Sequence, residues 1–197
     1  MSETLNYWST LVKVAEKLYK ESLELGIPAI SFTDGLILSL TTFSKCSTND
    51  YVTVVDGGAG VGFSTLFLAY GMSMGCKGLL TAVEWDRRRF ERLKVNAKIL
   101  EKFVGEYVVV EVIEGDFLEY LENVSDESLD VAFIDVEKRV YPIAARLLKR
   151  KLRRGGVALF HNAITPRPPP EFFEVVLREF KSIIVPTDAG ILVAFKA

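Results

Sequence analysis

Apolar and polar positions along the 197-residue chain fall into two periods. Near the start, Trp8, Leu11, Val12, Ala15, Leu18 and Tyr19 recur at helical spacing, and Gly26 followed by Pro28 is a stop signal, so the chain opens with an amphipathic helix. A second helical stretch is predicted over residues 33–44, beginning near the cap candidates Ser31 and Thr33. From Tyr51 the pattern changes to short β-branched runs separated by helical segments. Strands are predicted near 51–55, 79–84, 107–113, 129–135 and 156–161. This alternation predicts a parallel sheet with helices on both faces. After Pro170, a helix over 171–180 leads to strands at 183–186 and 191–195. The turn residues Asp188, Ala189 and Gly190 join those two strands into a β-hairpin.

One domain is expected, with an N-terminal helical segment (1–48) preceding an α/β core (49–197). At 49% hydrophobic residues, 11% aromatics and a net charge of −2, the chain is neither disordered nor built for a bulk polyanion. No basic, apolar and cleavable leader pattern occupies the first 19 residues, and no apolar run approaches a membrane span, so the expected address is cytoplasmic with no membrane partner. Cys46 and Cys76 form no C-x-x-C pattern, and free intracellular thiols are the expectation. A homodimer formed through Trp8, Leu11 and Leu18 is expected only if the sheet leaves them uncovered.

The strongest chemical signal is residues 51–70, YVTVVDGGAGVGFSTLFLAY. A buried-type strand ends at Asp56, crosses Gly57, Gly58, Gly60 and Gly62, and becomes a helix at Ser64 and Thr65. Glycines allow backbone angles and close approach that a Cβ forbids, and a helix N-terminus attracts negative charge, so this turn suits a cofactor. The dinucleotide form G-x-G-x-x-G would need glycine at position 63, which is Phe63, and no lysine of a P-loop follows. The remaining form, D-x-G-x-G-x-G, resembles the first motif of class I S-adenosylmethionine (SAM) dependent methyltransferases.

That resemblance implies a Rossmann-like, mostly parallel seven-stranded sheet in the order 3-2-1-4-5-7-6, with an antiparallel C-terminal hairpin. In such a sheet the ligand sits at the carboxyl ends of the strands, where the winding reverses. Glu84, 22 positions after Gly62, ends the second strand where an acid accepts ribose hydroxyls. Asp116, in the segment EGDF, resembles the family position beside the adenine amino group, with Phe117 next to it. Phe63 and Trp85 are further cofactor candidates, set against their commoner fate as core aromatics.

The segments LDVAFIDVEKRVYP and LLKRKLRRGGVALFHNAITP resemble the small-molecule O-methyltransferases of the catechol and caffeoyl-CoA type. The resemblance implies that Asp135, with the residues at 161 and 162, holds a divalent cation, that Lys138 acts as base, and that the acceptor is a small molecule. Asn162 matches, whereas His161 replaces an aspartate and is the only histidine in the chain. A softer cation, a weak site and no metal are the three outcomes, because Mg²⁺ favours oxygen donors. Without a metal, His161 or Lys138 takes the proton of the attacking hydroxyl.

Two other readings follow from the same residues. One is an RNA or protein methyltransferase, drawn from the basic cluster Lys149, Arg150, Lys151, Arg153 and Arg154, which is otherwise explained by a helix C-terminus. The other is a non-catalytic SAM-binding module whose acceptor site has decayed.

Overall fold

The computed structural model describes residues 3–73, 75–104 and 106–197. Helices α1 (Glu3–Glu24) and α2 (Phe32–Cys46) come first. Four strand–helix steps and a fifth strand follow, through β1 (Tyr51–Gly57), α3 (Phe63–Ser73), β2 (Lys77–Glu84), α4 (Arg87–Val104), β3 (Val108–Glu114), α5 (Phe117–Asn123), β4 (Leu129–Ile134), α6 (Tyr141–Lys151) and β5 (Leu152–His161). Helix α7 (Pro170–Glu179) leads into the hairpin β6 (Lys181–Val185) and β7 (Ile191–Phe195). The seven strands form one sheet in the order β3-β2-β1-β4-β5-β7-β6, as the resemblance implies. β1 pairs in parallel with both β2 and β4, so the winding reverses beside it. β7 alone runs opposite to the other six strands, antiparallel to both β5 and β6.

The strand pattern dictates the layers. Val52, Val54, Leu80, Val131 and Phe133 face α1 to α4, while Val55, Val83, Ala132, Ile134 and Phe160 face α5 to α7. Strands apolar on both faces are what a sheet covered twice requires. In α1, Leu11 and Leu18 are fully buried, which uses the stripe read from the sequence, while Trp8 stays exposed with its edge against Phe32.

The expectation of free thiols is overturned. Cys46 at the end of α2 and Cys76 just before β2 are joined by a disulfide, their Cα atoms 5.0 Å apart. Helix α2 packs along α3, and the short link from α3 to β2 brings Cys76 back beside it. A pairing across 30 residues has no local spacing signature. Among the described residues, no helix is long and apolar enough to cross a membrane.

Candidate active site

The glycine turn lies at the carboxyl end of β1, between the ends of β2 and β4. Gly58 and Ala59 donate to Val83 O, at 3.0 and 3.1 Å, and Asp135 N donates to Gly57 O at 2.8 Å. Gly58 has φ +86°, and a Cβ there would stand 2.3 Å from Asp135 O, so only glycine fits. Gly60 and Gly62 also have positive φ, at 60° and 99°. Ile27, in the link between α1 and α2, covers the turn, with its Cγ2 3.7 Å from where a Cβ on Gly60 would stand.

Two acids hold this turn. Glu84 is almost fully buried, and its Oε2 accepts from Gly60 N at 2.8 Å while Oε1 accepts from Asp86 N at 2.9 Å. Each oxygen keeps a second lone pair, which is what a ribose diol requires. Burial raises the Glu84 pKa, opposed by those backbone contacts. Asp56 is fully buried, and its Oδ2 accepts from the hydroxyls of Ser64 (2.8 Å) and Thr65 (2.6 Å), pinning the first turn of α3 to the end of β1. Burial pushes Asp56 up to about 7, and its Oδ1 has no partner. Asp56 and Ser64 thus brace the turn from behind.

The remaining cofactor candidates divide. Asp116 is exposed and caps α5, its Oδ1 accepting from Leu118 N and Glu119 N. Trp85 stands open to solvent at 68% exposure, beside Glu84. Phe63 is instead a core aromatic, packed between Tyr19 and Phe67. Phe117 is buried too, its ring filling the space where a Cβ on Gly57 would be.

Beyond β4 the chain turns through a short 3₁₀ segment, Lys138–Val140, into α6. Lys138 Nζ lies 2.8 Å from Asp135 Oδ1 and 3.2 Å from Val136 O. The buried Tyr141 hydroxyl sits 3.0 Å from Ile134 O and 3.1 Å from His161 O, tying the ends of β4 and β5 together. His161 Nδ1 is 3.2 Å from Asp135 Oδ2.

Sequence reading missed the other partner of His161. Its Nε2 is 3.4 Å from Oδ2 of Asp34, a residue of α2 that is 1% exposed. Asp34 also closes a capping box with Ser31, accepting from its backbone N–H at 3.0 Å and its hydroxyl at 2.7 Å. The local signal was present, a serine followed three residues later by an acid at a helix start.

Burial alone would lower the His161 pKa, but Asp135 and Asp34 together raise it to about 9. For the two acids burial works the other way and is overcome. Asp34 is held well below the usual carboxylate range by His161, Thr187 and Ser31, and Asp135 is lowered by His161 and Lys138. At neutral pH His161 is therefore an imidazolium and offers no lone pair as a base.

Asn162, the third position of the implied cation site, donates its amide N–H to Thr165 O at 2.8 Å and sits at φ 59°. Among the described residues, no group of three or more His, Cys, Asp or Glu side chains is arranged to hold a metal ion.

The basic cluster lies at the opposite ends of the strands and is largely used internally. Arg150 and Lys151 pair with Asp126, Arg153 pairs with Asp130, and Lys149 donates to Glu179 O.

The sequence profile of a family described as "Methyltransferase domain" matches residues 55–163. A protein of Mycobacterium ulcerans (strain Agy99) named "Putative O-methyltransferase" is 30% identical over 154 residues, covering 78% of this chain and 63% of that protein. A protein of the same name in Mycobacterium avium (strain 104) is 33% identical over 144 residues, covering 73% and 61%. The chain thus spans about three fifths of the length of these relatives. Among solved structures, a methyltransferase from Geobacter sulfurreducens superposes with a TM-score of 0.77 at 22% identity, covering 93% of this chain and 88% of that one. An O-methyltransferase from Bacillus cereus in complex with SAH gives 0.72 at 21% identity, covering 94% and 91%. At such identities these two establish the fold.

Proposed function

The chain belongs to the methyltransferase-domain family, and from that premise we propose that it transfers the sulfonium methyl of SAM to an oxygen of a small-molecule acceptor. The observation that carries this reading is the glycine turn at the winding reversal, held to the end of β2 by the 2.8 Å contact between Gly60 N and Glu84. A carboxylate anchored there stands ready for the ribose hydroxyls of the cofactor, and Asp116 and exposed Trp85 flank the adenosine side. The Bacillus cereus relative's complex with SAH supports the same ligand for this chain.

Transfer is a single displacement. The acceptor oxygen attacks the methyl carbon in line, the carbon–sulfur bond breaks, and S-adenosylhomocysteine leaves with the electron pair. The protein's part is to hold donor and acceptor in line and to exclude water. Lys138, partly exposed and ion-paired with Asp135, is assigned to attracting the acceptor as its oxyanion, whose proton leaves to solvent before the methyl is transferred. His161 is assigned no proton transfer, because both ring nitrogens face carboxylates.

Calorimetric titration with SAM and SAH tests the first half, and folded protein that binds neither refutes it. Transfer of labelled methyl to a panel of phenols and hydroxy acids tests the second. Turnover that appears only with RNA or a protein acceptor would move the assignment to a macromolecular substrate.

A further inference from the structure

The position where the family resemblance puts a divalent cation is occupied by side chains that do not suit one. His161 lies between two buried acids, Asp34 on α2 and Asp135 after β4, at 3.4 and 3.2 Å. A histidine that ligates a metal presents a lone pair from one nitrogen and gives the other N–H to an acceptor. Here each nitrogen lies beside a carboxylate oxygen, although neither contact has hydrogen-bond geometry, so both sides of the ring are taken up by the two acids and not by a site for an ion. The second oxygen of Asp135 is taken by Lys138.

Charge leads to the same result. Lys138 stands on Asp135, and an imidazole, which brings no negative charge, stands where the resemblance puts a carboxylate. An aspartate at 161 would leave three carboxylates against Lys138 alone, a surplus of two negative charges that suits a divalent ion.

We infer that the position formed by Asp135, His161 and Asn162 takes up no divalent metal, because both oxygens of Asp135 and both nitrogens of His161 already lie against other side chains, and that acceptor methylation in this protein needs none. The inference rests on the methyltransferase reading for its reaction, but the ion-binding part stands alone. Without an ion to chelate two adjacent oxygens, the acceptor is met through the single oxygen that attacks.

The test is Mn²⁺ binding by the full chain, followed by electron paramagnetic resonance of the free ion and by calorimetry, with and without SAH. The wild-type protein is expected to take up no Mn²⁺ at millimolar concentration, and His161→Asp to bind it at least tenfold more tightly than wild type. Saturable wild-type binding that Asp135→Asn abolishes would overturn the inference, as would a folded His161→Asp protein that gains nothing. If His161→Asp does not fold, the wild-type titration decides alone. SAH titration in the same samples keeps the two readings apart, since loss of SAH binding refutes the cofactor assignment and leaves the Mn²⁺ result standing.

Discussion

His161 Nε2 and Asp34 Oδ2, 127 residues apart in sequence, meet at 3.4 Å and join the start of α2 to the end of β5. The contact matters because α2 follows the segment that carries Ile27 over the glycine turn. On the other side of the ring, Asp135 belongs to the loop whose carbonyl packs on Gly58. One buried histidine thus connects the start of α2, the loop after β4 and, through them, the glycine turn.

Asp34→Ala should destabilise the protein strongly. It removes one partner of a buried charge and the side chain that closes the α2 capping box. Breaking such a pair from one side costs about 3–5 kcal/mol, which for a chain of this size lowers the melting temperature by on the order of 10 °C. Asp34→Asn keeps the size and the contacts to Ser31 and should fall between Ala and wild type. Thermal unfolding of the three proteins at pH 7 checks this, and an Asp34→Ala melting curve matching wild type would contradict it.

Stability should vary with pH in three windows. His161 is raised from 6.5 to about 9, so its contribution is complete below about pH 6.5 and is lost as pH rises through about 9. Asp34 and Asp135 are lowered, so theirs is present above about pH 4 and fades as pH falls toward their folded values. Buried Asp56 is raised from 3.8 to about 7 and favours its proton when folded, so stability declines between those values and is flat above them. Asp56→Asn should remove the slope between pH 4 and 7 and keep the one between 7 and 9. A wild-type melting temperature that does not fall from pH 7 to 9 would contradict the charged state of His161.

Much of this was legible before the fold was known, and the part that was not has a physical cause. Val52, Val54 and Val55 running into Asp56 and the glycines announce a strand, a turn and a helix, because those residue types impose local geometry. Glu84 follows from its place at a strand end. The Asp34 contact was invisible, since a capping acid is locally satisfied by Ser31 and nothing nearby in sequence signals a distant histidine. The Cys46–Cys76 bond was missed for the same reason. Phe63 and Phe117 show the limit of motif position, because an aromatic beside a glycine turn packs equally well inward, and both do.

Glu84→Gln should weaken SAH binding while leaving the fold intact. The glutamine carbonyl oxygen can still accept from Gly60 N, but its amide cannot accept from Asp86 N, and the charge available to the ribose hydroxyls is gone. Hydrogen bonds to a charged group contribute about 1.5–3 kcal/mol, so calorimetry should register a Kd raised roughly tenfold to a hundredfold. Unchanged affinity would exclude Glu84 from the ribose site.

Gly58→Ala, with Gly115→Ala as a control outside the glycine turn, tests whether that turn tolerates a Cβ. At Gly58 the added atom would stand 2.3 Å from Asp135 O, at φ +86°, and the neighbour is backbone that cannot rotate away. The turn or the start of the Asp135 loop must then shift, which should lower the melting temperature and abolish measurable SAH binding together. At Gly115, between β3 and α5, no atom lies within 4 Å of the place an added methyl would take, and φ is not in the positive region that disfavours side chains. Gly115→Ala should therefore melt and bind like wild type, and an equal loss in both variants would mean that general backbone stiffening, rather than the close approach at Gly58, accounts for the effect.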